Sequence, residues 1–178
     1  RVASASPFEP ANTLYGLAIP ACNIPFAIDK RVNKKFIVAA QDVSKHLSGA
    51  FTGEISILML KDLGVSHVII GHSERRIYHG ETDQDVNTKA KIALEHGVIP
   101  IICVGETLEQ YESKQSKKIV EKQIKDCVKD LDLSKIVIAY EPVWAIGTGK
   151  TATNEYAQAM CNHIRKLTSD DTLIQYGG

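Results

Sequence analysis

Three stretches of this chain place chemically versatile side chains directly after an apolar run. In Val68–Arg76 (VIIGHSERR) an imidazole, a carboxylate and two guanidiniums follow the run. Ile101–Glu106 (IICVGE) ends in a carboxylate, and Val137–Ala152 (VIAYEPVWAIGTGKTA) carries Glu141 and then a glycine-containing loop. A carboxylate that closes an apolar strand and precedes a proline is expected to enter a partly dry pocket. Desolvation there raises its proton affinity and suits it to act as a base. Glu141 is therefore the first candidate catalytic residue, and His72 the second, although a lone histidine is more often a hydrogen-bonded structural group. Glu106, followed by Thr107, reads as a helix-entry carboxylate favoured by the helix dipole. Arg75 and Arg76 read as solvated charges or ion-pair partners at an interface.

The loop after Glu141 carries two misleading patterns. GKT resembles the end of a P-loop, but G-x-x-x-x-G-K-T needs glycine where Trp144 stands. Gly147–Ala152 fits G-x-G-x-x-A, but a dinucleotide fingerprint turns directly from strand into helix, and here Pro142–Ile146 intervenes. A rival nucleotide-binding reading would require ATP or GTP binding, and none is expected. The better reading is a hinged lid with a stiff start, Pro142–Trp144, and a tip whose glycine amides can bind a phosphate oxygen.

The elements that must position these groups alternate regularly. Apolar runs at 14–21, 36–42, 67–72, 98–104, 136–141 and 172–176 are separated by segments of helical period. Val86, Ala90, Ala93 and Leu94 form one such stripe, and Val120, Ile124, Cys127, Val128 and Leu131 another. Thr107 with Gln110 predicts a capping box, and Thr82 with Asp85 a weaker one. Non-alternating strands between helices imply a parallel sheet covered on both faces. A doubly wound sheet and a (β/α)8 barrel both satisfy this, and periodicity does not separate them. No linker or composition shift divides the chain, so residues 1–178 are expected to form one domain.

At 178 residues, 44% hydrophobic and 24% charged, the composition suits a globular protein with a sizeable core. Its 21 basic and 21 acidic side chains cancel, which removes the electrostatic footprint of a sequence-independent nucleic-acid binder. No apolar run approaches a membrane span, and residues 1–10 do not read as a secretory signal. The four cysteines are too far apart for a structural zinc site or a disulfide scaffold. Cys103 and Cys127 are expected to be small buried hydrophobes in a reducing, cytoplasmic compartment.

Taken in order, GAFTGE (49–54), GHSERR, GETDQDV, ICVGETLEQ, AYEPVWAIGTGKTAT and YGG resemble the triosephosphate isomerase family from about Leu14 to Gly178. The resemblance selects the (β/α)8 TIM barrel and implies isomerisation of triose phosphates in glycolysis, with no cofactor or metal. It assigns Glu141 as the base, His72 as a neutral electrophile and Gly147 as an amide donor to the substrate phosphate. Neutral imidazole at a helix start and lid closure are general lessons already drawn from this enzyme family. Glu74 is expected to orient its neighbours. The Gly49–Glu54 loop is implied to insert beside the site of a second subunit, giving a homodimer.

Two departures stand beside the resemblance. No Asn-x-Lys element, which the family uses to balance substrate charge, precedes Leu14. Six strands are expected where the family barrel has eight, with uncovered apolar surface at two open edges. Either the 178 residues are a span of a longer enzyme, or they form a shortened remnant that binds or supports rather than catalyses. Intact mass separates these alternatives.

Overall fold

A computed structural model describes residues 13–146 and 148–177. Residues 1–12, with the stretch judged not to be a signal, lie outside the described residues, as do Gly147 and Gly178.

Each of the six apolar runs contains a strand: β1 (Gly16–Ile19), β2 (Ile37–Ala40), β3 (His67–Ile70), β4 (Ile99–Val104), β5 (Val137–Tyr140) and β6 (Leu173–Tyr176). All neighbouring pairs are parallel, and the spatial order is the chain order, β1 to β6. This order resolves the architectural choice. A doubly wound sheet reverses its strand order at a switch point, whereas a barrel wall adds each strand beside the last. The chain builds six staves of such a wall.

Among the described residues seven α-helices accompany it: α1 (Ile24–Lys30), α2 (Ile57–Asp62), α3 (Ser73–His79), α4 (Asp83–Glu95), α5 (Leu108–Glu112), α6 (Ser116–Cys127) and α7 (Asn154–Leu167). The predicted stripe on α4 buries Val86, Ala90 and Ala93, and that on α6 buries Val120, Ile124 and Cys127. These side chains join Val68, Ile70, Ile102 and Ile138 in one continuous core between helices and sheet. Both predicted capping boxes form. The Thr82–Asp85 box is as fully reciprocal as the Thr107–Gln110 box, because a shorter aspartate still reaches the backbone amide of Thr82.

Cys103 and Cys127 are buried, as expected. Among the described residues β1 and β6 are edge strands, and on them Leu17 and Leu173 are 52% and 56% exposed. These are the open edges with apolar surface that the strand count implied. No described helix is long and apolar enough to cross a membrane.

Candidate active site

Parallel register brings the chemistry to one end of the wall. Ile70 pairs with Ile102, and Val104 with Tyr140. The residues just beyond β3, β4 and β5 therefore emerge at nearly one level, with His72 and Glu141 separated by the single strand β4. The β4–β5 approach is so close that a Cβ at Gly105 would stand 1.8 Å from the Glu141 carbonyl oxygen. Only glycine fits there.

His72 caps α3, its Nδ1 accepting the backbone N–H of Glu74 at 3.4 Å. A nitrogen that accepts carries no proton, so Nε2 is the ring's remaining donor. Nε2 lies 3.5 Å from Oε2 of Glu141. That oxygen is buried and has no hydrogen-bond partner among the described residues. Burial raises the pKa of Glu141; the His72 ring opposes this effect, and the Glu74 carboxylate adds to it. An unbonded buried carboxylate oxygen with raised proton affinity has the properties of a general base. Glu74 is the more exposed carboxylate, with its Oε2 3.7 Å from the other nitrogen of His72.

Glu106 corrects the sequence reading. Thr107, not Glu106, caps α5. The Glu106 side chain is fully buried and accepts from Trp144 Nε1 at 2.8 Å, Tyr156 Oη at 2.7 Å and Tyr140 Oη at 3.1 Å. Its three donors reach it from the end of β5, from the 3-10 turn Val143–Ala145 and from α7. Burial and the neighbouring carboxylate push the Tyr140 hydroxyl well above the usual phenol range. Burial raises Tyr156 to about 12, with Glu106 adding to the shift and Ser116 opposing it. Trp144 also stacks on Tyr111, with ring centroids 4.2 Å apart. The carboxylate thus pins the root of the segment expected to be a lid. Further along, Thr148 Oγ1 donates to the Trp144 carbonyl at 2.6 Å. Gly147, the proposed phosphate donor, lies outside the described residues.

The two arginines are ion-paired within the chain rather than free surface charges. Arg76 turns inward and contacts the backbone at Gly71 and Cys103 and the Asp83 carboxylate. Arg75 pairs with Asp42 at 3.0 Å, and its Nε is buried without a hydrogen-bond partner among the described residues. A cleft of about 600 Å³ opens beside His72, lined by Asp42, Lys45, Glu54, Glu74, Arg75 and Lys89 among others. Glu141 lines a separate, smaller cavity with Gly71, Ser73 and Gly105.

The Gly49–Glu54 loop is internally braced. His46 stacks on Phe51 with ring centroids 3.7 Å apart, Ser44 Oγ donates to Glu54, and Glu54 N–H reaches the Phe51 carbonyl at 3.0 Å. Phe51 is 40% exposed.

Residues 5–178 match the family model described as triosephosphate isomerase. The chain is 54% identical over 168 residues to a protein of that name from Mycoplasmopsis pulmonis, covering 94% of this chain and 68% of the relative. A similarly named protein from Mycoplasma mobile is 54% identical over 169 residues, 94% of this chain and 69% of the relative. One from Delftia acidovorans is 45% identical over 178 residues, covering 96% of this chain and 72% of the relative.

Proposed function

Because the chain belongs to the triosephosphate isomerase family, we propose that it interconverts dihydroxyacetone phosphate and D-glyceraldehyde 3-phosphate, with Glu141 and His72 as its catalytic pair. The observation that carries this reading is the 3.5 Å approach of His72 Nε2 to Oε2 of Glu141, a buried oxygen with no hydrogen-bond partner among the described residues.

Glu141 removes a proton from the hydroxymethyl carbon of dihydroxyacetone phosphate. The electron pair moves into the carbon–carbon bond, and charge develops on the carbonyl oxygen. His72 Nε2–H donates to that oxygen as the charge develops, which is where a fixed donor contributes most. The hydroxyl proton on the first carbon then passes to the second carbon's oxygen, which shifts the enediolate charge to the first oxygen. Return of the carbon proton from Glu141 to the second carbon, as the first forms its C=O bond, completes the isomerisation, so atoms and charge balance without an external oxidant or reductant. Glu106 holds Trp144, and Trp144 anchors the start of the loop that closes over the substrate. The amide of Gly147 is the proposed donor to the phosphate. Closure excludes water and keeps the enediolate from expelling phosphate.

The braced Gly49–Glu54 loop, with Phe51 exposed at its tip, supports a homodimer in which this loop enters a second copy. Sedimentation velocity should give one species of twice the chain mass, and Phe51→Glu should halve it. Buried free thiols fit a cytoplasmic location. The activity is tested by following both triose phosphates with time. The wild-type chain should bring either one to the same equilibrium mixture, and His72→Gln should fold but isomerise slowly. A folded wild-type chain that leaves both substrates unchanged would overturn the assignment.

A further inference from the structure

The backbone that carries His72 passes through Gly71, a residue with φ +74°. A side chain is excluded there, since a Cβ would stand 2.7 Å from Val86 Cγ2. Glycine supplies little torsional resistance of its own, so something else must hold the turn. Two side chains do so from opposite sides. The Gly71 N–H donates to Glu81 Oε2 at 3.0 Å, and the Gly71 carbonyl accepts from Arg76 Nε at 2.8 Å. These bonds hold the two successive peptide units that flank Gly71, the second of which leads directly into His72.

Both side chains are themselves tied down. Glu81 receives Lys89 Nζ on its other oxygen, and Lys89 also reaches Asp42 at 2.8 Å. The remaining nitrogens of Arg76 donate to Asp83 Oδ1 at 2.6 Å and to the Cys103 carbonyl at 3.3 Å. The turn before His72 is thereby referenced to α4 through Asp83 and Lys89, to the end of β2 through Asp42 and to β4 through Cys103. Glu81 and Lys89 are only 8% and 6% exposed, so water competes weakly for these bonds.

We propose that Arg76 and Glu81 are positioning residues that clamp the Gly71 turn and so fix the His72 ring against Glu141. The proposal rests on the reading of His72 as the donor to the substrate carbonyl. Displacing a catalytic group by about 1 Å can cost on the order of a hundredfold in rate. A lysine at position 76 retains charge for Asp83, but one ammonium cannot replace a planar fork that reaches Gly71, Asp83, Cys103 and Cys127. Glutamine at position 81 keeps its amide oxygen for the Gly71 N–H, and its amine then faces Lys89, whose ammonium retains Asp42.

The test records the His72 ring nitrogen signals by 15N NMR, together with kcat, KM and thermal stability, in wild type, Arg76→Lys and Glu81→Gln. Arg76→Lys should shift the His72 signals and lower kcat tenfold or more, with KM within threefold. Glu81→Gln should leave the signals in place and kcat within threefold of wild type. Unmoved His72 signals in a destabilised Arg76→Lys would reduce Arg76 to a structural role and overturn the proposal. Should Arg76→Lys fail to fold, Glu81→Ala decides: signals displaced there and restored in Glu81→Gln support the clamp, and identical spectra refute it. The ring signals report on the clamp even if the wild type proves inactive, so failure of the isomerase reading remains distinct.

Discussion

Replacing Glu106 by leucine tests whether a buried carboxylate holds the root of the lid. In the native fold it satisfies Trp144 Nε1, Tyr140 Oη and Tyr156 Oη. Leucine fills similar volume but accepts nothing. Tyr156 keeps Ser116 Oγ as a partner at 2.8 Å and Tyr140 keeps the Tyr156 hydroxyl, so the Trp144 indole N–H is the donor left without an acceptor in this cluster. An orphaned buried donor costs roughly 1–3 kcal/mol, which sets the expected loss. Removing a buried charge offsets part of it. Glu106→Gln should lose far less, because its amide oxygen accepts from Trp144 and Tyr156 while its amine donates to the Tyr140 oxygen. Urea denaturation followed by circular dichroism measures both variants. The chain's single tryptophan lies in this cluster, so native fluorescence reports on it directly. The leucine variant should have red-shifted emission, whereas glutamine should stay close to wild type. A leucine variant within about 1 kcal/mol of wild type, with unchanged emission, would refute the latch.

Further consequences are open to equally direct tests. Gly71→Ala forces a Cβ into Val86 at positive φ and should cost more than about 1 kcal/mol in urea denaturation. Val86→Ala in the same chain should recover part of that loss. Thr82→Ala removes the α4 capping box and should cost about 1 kcal/mol. Asp85, held down to about 2 by Lys45 and Thr82, favours the folded state above its ordinary value of 3.8. That contribution should fade as pH falls from there through about 2. Glu141 has the opposite sign, since a raised folded pKa means that ionisation above the ordinary 4.5 opposes folding. Glu141→Gln should therefore raise the melting temperature at neutral pH, with a gain that shrinks as pH falls toward 4.5 and is lost below it.

Apolar runs and helical stripes made the strands and the packed faces of α4 and α6 legible, because both periodicities are local properties of the chain. Glu141 and His72 could be singled out in the sequence because each stands within two residues of a strand end, where parallel architectures gather their side chains. Glu106 was not. A carboxylate before Thr107 looks the same whether it faces a helix start or a buried cluster, and its donors lie 34, 38 and 50 residues away. Arg76 was hidden for a related reason: two of its acceptors are main-chain carbonyls, which leave no trace in residue type. Strand order likewise emerges only from pairing, so the choice between barrel wall and doubly wound sheet needed either the register or the family resemblance.

Proton transfer by Glu141 is tested most directly by hydrogen exchange from substrate carbon. Dihydroxyacetone phosphate incubated with the chain in deuterated water should gain deuterium at its hydroxymethyl carbon, as read by proton NMR. Glu141→Gln should abolish that gain, and Glu141→Asp should slow it by drawing the carboxylate back. Equal exchange rates in wild type and Glu141→Gln would contradict the assignment of this residue as the base.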